Sequence, residues 1–331
     1  MLELNELARA RLQRMLVRLS APPAVDPPPA VQIIEEALAW LEDNVFRVDP
    51  EAQSRANAPG TPTESPLVEV TVVLRWLHHR QLTPSAAQRV ERCLDRVAEI
   101  FQRPSVRDRL FRQTPALQYY VWLAVLLRDC GRLTDPREWA TVQRLIDSDY
   151  ANLHNPTHSA HALMERRYIF DLGGFRHSLP EFDELYPRNV LGAPIDPLFI
   201  TDFEAYAVTH IVLYLSDMGL RRVTGVTAQQ RREMTVAVES LLELYLSAGH
   251  LDLTAELLVC RHALELPATG LASYAYRCLL GARLSNGAWP GPFFNPRIAE
   301  RLSDDRDAYL FRTCYHTTLV ALMAVCVEEG M

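Results

Sequence analysis

The sequence predicts an all-α protein, and three observations carry that prediction. Glycine is sparse at 13 of 331 residues, about 4% where ~7% is ordinary. No segment sustains the two-residue alternation of a strand, while apolar residues recur at i, i+3 and i+4 almost throughout. The 22 prolines fall mostly between these periodic segments, where they punctuate helices.

Taken in order, Met1 to Ser20 reads as an amphipathic helix, because Glu3, Glu6, Arg9, Arg11, Arg14 and Arg18 break its apolar face. Charges so placed do not suit a signal peptide. Ala21 to Ala30 (APPAVDPPPA) reads as a semi-rigid proline linker, so residues 1–30 form an appendage to a single domain over 31–331. Val48 to Pro66, with Asn57, Pro59, Gly60 and Pro62, is expected to be a surface loop. Gly173 to Pro197 is proline-broken as well, and is a candidate lid or insertion.

The remaining segments are helices of two alternating kinds. Those near 31–46, 85–102, 136–149, 228–247 and 269–284 are amphipathic with charged faces. Those near 66–78, 116–129, 157–170, 201–217, 252–265 and 307–326 are more uniformly apolar, and a helix apolar nearly all round should be buried. The second set starts at intervals of 50, 41, 44, 51 and 55 residues. A period of that length implies stacked outer–inner helix pairs. Six inner helices can close as an (α/α)6 toroid; an open solenoid of the same pairs is the alternative. Asp129-Cys130-Gly131, Asp171-Leu172-Gly173 and Asp217-Met218-Gly219 share a D-x-G exit, which suits a left-handed cap and sets an expected register between repeats.

Composition narrows the chemistry. The chain contains no lysine, so all 34 cations are arginines, against 41 acids and a net charge of −7. That excludes a Schiff-base lysine, hence pyridoxal-phosphate enzymes and class I aldolases, and a lysine-bearing P-loop. The acidic balance argues against non-specific nucleic-acid binding. No uninterrupted apolar run reaches the ~18 residues of a membrane span. Cys93, Cys130, Cys260, Cys278, Cys314 and Cys326 are scattered without a C-x-x-C pair, so a cytoplasmic protein with reduced thiols is expected.

Near the C-terminus, Asn286-Gly287-Ala288-Trp289-Pro290-Gly291-Pro292 follows an outer helix, and Cys314-Tyr315-His316-Thr317-Thr318-Leu319 lies in the next inner helix. In order and spacing these resemble the last repeat of the α/α-toroid superfamily of terpene cyclases and protein-prenyltransferase β-subunits, with its Q-x-x-x-G-x-W repeat and Y-H-T segment. The resemblance implies a toroid and makes His316 a zinc ligand. It is partial. Arg283 stands where the repeat has glutamine, and Leu258 where an aspartate would precede Cys260. The cyclase D-x-D-D motif is absent, Ser303 to Asp307 reading instead as a solvated helix start. The C-H-G order of lanthionine cyclases is missing too.

Aligning the inner helices by pattern puts Glu165, His210, Cys260 and His316 at one level. Carboxylate, imidazole and thiolate converging on a cavity suit a divalent transition metal, zinc before iron, and not calcium. His158, His161 and Glu165 share a helix face, with Asn155-Pro156 as its expected start. Asp202, Tyr206 and His210 form a second stripe, in which Asp202 could be a ligand, an orienting carboxylate or a base. The expected metal set is therefore His210, Cys260, His316 and Glu165, with Asp202, Tyr206, His161 and Glu165 as acid–base candidates. Taken singly, each histidine is better explained as a hydrogen-bonded core residue.

Tyr119, Tyr120, Trp122, Phe199, Phe203, Tyr206 and Trp289 could line a cavity for a flat or isoprenoid-like substrate, and doubled arginines (Arg166-Arg167, Arg221-Arg222, Arg231-Arg232) could grip an anion. The leading expectation is a metal-dependent enzyme on a small, mostly apolar substrate, of the kind found in bacterial specialised metabolism, with no nucleic-acid partner and no membrane span. The alternatives are a non-catalytic helical scaffold and a metal-free lyase or glycosidase built on carboxylates.

Overall fold

The computed structural model describes residues 28–51, 64–112, 116–155, 157–197 and 199–331. The N-terminal helix, most of the proline linker and most of the 48–66 loop lie outside them. Among the described residues there are fourteen α-helices and no strand: α1 (Ala30–Asn44), α2 (Ser65–His78), α3 (Pro84–Gln102), α4 (Pro104–Arg112), α5 (Leu117–Asp129), α6 (Pro136–Asp147), α7 (Ala160–Gly173), α8 (Phe182–Leu185), α9 (Asp202–Leu215), α10 (Ala228–Ser247), α11 (Leu251–Ala263), α12 (Gly270–Gly281), α13 (Pro296–Arg301) and α14 (Arg306–Glu328). The two alternating sets are all present. The helices that patterning leaves out, α4, α8 and α13, are the short ones.

Within the domain expected over 31–331, the chain packs as two compact units, Leu38–Asn189 and residues 28–37 with Val190–Met331. In the first, the apolar helices α2, α5 and α7 pack in sequence, with α3 and α6 against them. Leu67, Leu74, Trp76 and Leu77 of α2 are fully buried. Arg75 is buried as well, and its Nε donates to Asp129 Oδ2 at 2.6 Å, where His79 Nε2 also arrives at 2.8 Å. Asp129 thus ties the end of α2 to the end of α5.

The second unit repeats the scheme with α9, α11 and α14 in sequence, and α10 and α12 packed against them. These three apolar helices run parallel. Tyr206 and Thr209 of α9 meet Asp252 and Glu256 of α11 in the same order. Asp252 in turn meets His316 and Thr317, while Arg261 and Glu328 interact near the other ends of α11 and α14. Helix α14 is long and apolar enough by length and composition to cross a bilayer. Arg312 and His316 interrupt its apolar run, and most of that helix is buried within the protein.

Two motifs have local structural duties. Gly287 adopts φ +91°, and a Cβ there would lie 2.6 Å from the Glu36 carbonyl oxygen, so only glycine fits. Trp289 is fully buried. Its Nε1 donates to Leu279 O at 2.7 Å and its backbone N–H to Thr318 Oγ1 at 2.9 Å. The G-x-W string thereby clamps the chain between α1, α12 and α14.

Two register expectations need correction. The D-x-G exits are not equivalent: the left-handed residue is Gly131 after α5, Gly174 after α7, and already Asp217 after α9. They therefore give no common register, because each helix stops at a different step of the motif. Helix α7 does not start at Asn155-Pro156. Ser159 caps it, its Oγ accepting from Ala162 N, while Asn155 caps the preceding turn through Thr157. His158 therefore lies before the helix, where its Nε2 meets Asn152 O at 3.2 Å.

Candidate functional site

Helix α11 carries two carboxylates where almost every neighbour is apolar. Asp252 and Glu256 are each only 2% exposed, and burying two acids one turn apart requires partners for both. Asp252 receives three donors: Tyr206 Oη at 2.5 Å, Thr317 Oγ1 at 2.6 Å and His316 Nδ1 at 3.0 Å. Burial pushes its carboxyl up, but the His316 charge and the hydrogen bonds from His316, Thr317 and Tyr206 outweigh that and hold it well below the usual range. Burial, followed by the negative charges of Asp252 and Glu256, pushes the Tyr206 phenol far up, so Tyr206 stays a donor.

Glu256 lies deeper. Thr209 Oγ1 donates to its Oε2 at 2.5 Å. The two imidazoles approach its two oxygens, His316 Nε2 at 3.9 Å from Oε1 and His210 Nε2 at 4.0 Å from Oε2. Because Nδ1 of His316 is engaged by Asp252, Nε2 is the ring atom turned toward Glu256. Asp252, Glu256 and His316 each offer one donor atom within 4.8 Å of the others. Both imidazoles are about one-third exposed, whereas both carboxylates are buried. The cluster therefore has a closed acidic floor and an accessible histidine side.

Of the residues expected from sequence, Tyr206, His210 and His316 come together. Cys260 is on the same helix but apart from the donor set. It is fully buried, its thiol donates to Thr209 O at 3.5 Å, and burial raises it well above the usual thiol range. Asp202 is exposed at the start of α9 and accepts from Tyr245 Oη at 3.0 Å. His161 and Glu165 share a face of α7 in the other unit. Burial lowers the His161 imidazole and raises the Glu165 carboxyl, the latter opposed by Arg166 and a hydrogen bond with Trp122.

Arg221 pairs with Asp217 and Arg222 with Glu265, and three more of the doubled arginines hold backbone. Arg166 donates to Leu153 O, Arg167 to Leu179 O and Pro180 O, and Arg231 to Val223 O. Asp252 and Glu256 are not in the expected set; the resembling family has its aspartate at the place of Leu258. Two acids at i and i+4 in an otherwise apolar helix were the available signal.

Fold and cluster define an all-helical protein that holds a buried carboxylate pair against two accessible imidazoles. The chain belongs to a family described as a domain of unknown function (DUF6895), whose model matches residues 34–326. No curated protein matches it. No solved structure matches it either.

Proposed function

We propose that the chain is a metal-dependent enzyme acting on a small, mostly apolar molecule at the cluster of α9, α11 and α14, within an (α/α)6-toroid framework. Six apolar helices alternating with amphipathic ones support the framework, as does the likeness of the G-x-W and Y-H-T segments to toroid enzymes. The observation that carries the metal is Glu256 between two Nε2 atoms, with Asp252 on the far nitrogen of one of them. Two histidines and one glutamate form a catalytic zinc set that leaves a coordination position open. A carboxylate on the second ring nitrogen is the usual means of orienting such a histidine.

Ligand–metal bonds of about 2.1 Å in a tetrahedral array put ligand atoms ~3.4 Å apart. The observed 3.9 and 4.0 Å are to different oxygens of Glu256, so a shared ion would have to draw both imidazoles in toward a carboxylate that binds through both of its oxygens. Nitrogen and oxygen donors favour zinc, then iron, as Lewis acid or to activate a water. A metal-free reading, with His316 as a general base held by Asp252, rests on the same hydrogen bond.

Elemental analysis after metal-supplemented expression decides between them. Near-stoichiometric zinc or iron, lost in His210→Ala, His316→Ala and Glu256→Gln but kept in Cys260→Ala, is the expected result. Less than about a tenth of an equivalent in the parent protein would leave the metal-free reading.

A further inference from the structure

Three large side chains stand almost fully in solvent: Phe199 (81% exposed), Phe203 (76%) and Phe293 (86%). Two of them can be placed relative to the His–carboxylate cluster. Phe203 precedes Tyr206 by three residues and His210 by seven, so all three lie on one stripe of α9. Since Tyr206 faces His316, with ring centroids 6.4 Å apart, Phe203 lies one turn above the cluster toward the N-terminal end.

Phe293 reaches the same end by another route. The loop before α13 crosses α14 at Gly291, whose N–H donates to Thr313 O at 2.9 Å. A Cβ on Gly291 would come within 3.0 Å of Thr317 Oγ1, the hydroxyl that donates to Asp252. Phe294 then packs near Tyr309, with ring centroids 6.3 Å apart, two turns before His316 on α14. The loop therefore lies along the N-terminal half of α14, beside the Thr317 hydroxyl that donates to Asp252. Helices α9, α11 and α14 are parallel, so their N-terminal ends lie on one side. The first turn of α9 is exposed there, while both carboxylates lie beneath.

Leaving a phenyl ring in water costs free energy that burial would recover, and two such rings at one site mouth argue for an apolar occupant. From the exposed phenylalanines that flank the approach to the His–carboxylate cluster, we infer that Phe203 and Phe293 form the apolar entrance that takes the hydrocarbon portion of the substrate, directing its polar end to the two imidazoles. The inference deepens the proposed function and rests on that site being the reacting centre. The substrate class it specifies is amphiphilic, one chain or ring system with a single polar terminus.

The test uses the full chain and a Phe203→Ser/Phe293→Ser double variant, whose exposed positions should leave thermal unfolding unchanged. Titration with Nile red, a neutral apolar dye, should show saturable binding that weakens about tenfold per phenylalanine removed, with or without zinc. Unchanged dye binding in the double variant, or none in the parent, overturns the entrance whatever the metal content. So does sedimentation velocity showing a dimer lost in the variant at unchanged dye affinity, since the face would then pair two copies.

A second arm uses straight-chain alkyl hydroxamates from two to eight carbons on zinc-supplemented protein. Affinity should rise about fourfold per methylene, and the double variant should lose that slope while binding acetohydroxamate normally. If acetohydroxamate fails to bind but the dye response persists, the metal reading falls and the entrance stands.

Discussion

Replacing Asp252 by asparagine tests how the cluster is held together. The side chain keeps its shape, but one carboxylate oxygen becomes an amide that donates. Tyr206 Oη approaches Oδ2, Thr317 Oγ1 approaches Oδ1 and His316 Nδ1 lies 3.0 Å from both. One acceptor oxygen can serve only part of that set, so one or two of the three donors lose a buried partner. Hydrogen bonds to charged groups contribute about 1.5–3 kcal/mol each, so the metal-free protein should lose ~2–5 kcal/mol. The assay is guanidinium unfolding of metal-free parent and variant, analysed at equal slope.

The same substitution releases the His316 ring. Zinc affinity, read by competition with a chelating dye, should fall about 10–100-fold. A stability loss below about 0.5 kcal/mol would show that the three donors do not depend on the carboxylate. A large stability loss with zinc affinity unchanged within a factor of about three would refute the orienting role and leave Asp252 purely structural.

Other outcomes follow from the same structure. Gly287→Ala should cost at least about 2 kcal/mol in urea unfolding, because φ is +91° and the new Cβ would meet the Glu36 carbonyl at 2.6 Å; a neutral effect would mean the loop can move away. Asp129→Asn should flatten the acid limb of the stability curve. Burial raises the Asp129 carboxyl, but His79 and Arg75 pull it below its ordinary value. Its contribution is therefore present above the unfolded-state pKa and lost as pH falls through the lower folded-state value. Unfolding midpoints between about pH 6 and pH 2 should drop less in the variant than in the parent, and parallel curves would count against the pairing.

Helix legibility and site legibility differ for identifiable reasons. The long helices follow from local periodicity: α3, α10 and α12 show an apolar stripe, and α2, α5 and α11 are apolar nearly throughout. Their starts are legible where a cap uses nearby residues, as Thr201 with Glu204 and Thr227 with Gln230 do. The D-x-G exits misled because the same three residues fall inside α7 and beyond α9. How far a helix runs into such a motif depends on what packs on its last turn. In the site, stripe arithmetic brought Tyr206 and His210 onto one face, and the Y-H-T segment singled out His316. Cys260 suits a metal by its chemistry, but its thiol donates to the Thr209 carbonyl and is not among the donor atoms that gather within 4.8 Å.

The chain's composition alone fixed the chemical vocabulary. Without lysine, reactive groups must be imidazole, carboxylate, thiol, hydroxyl, phenol or a bound metal, and periodicity alone fixed which helices are buried. Which of those groups act together was decided by tertiary structure. Asp252 and Glu256 are separated from His210 by more than forty residues and from His316 by sixty or more. Their pairing exists only because α9, α11 and α14 run parallel at a register set by side-chain packing. Burial then makes it obligatory, since two acids on an apolar helix need donors, and Tyr206, Thr209, Thr317 and the two histidines are the groups the neighbouring helices bring.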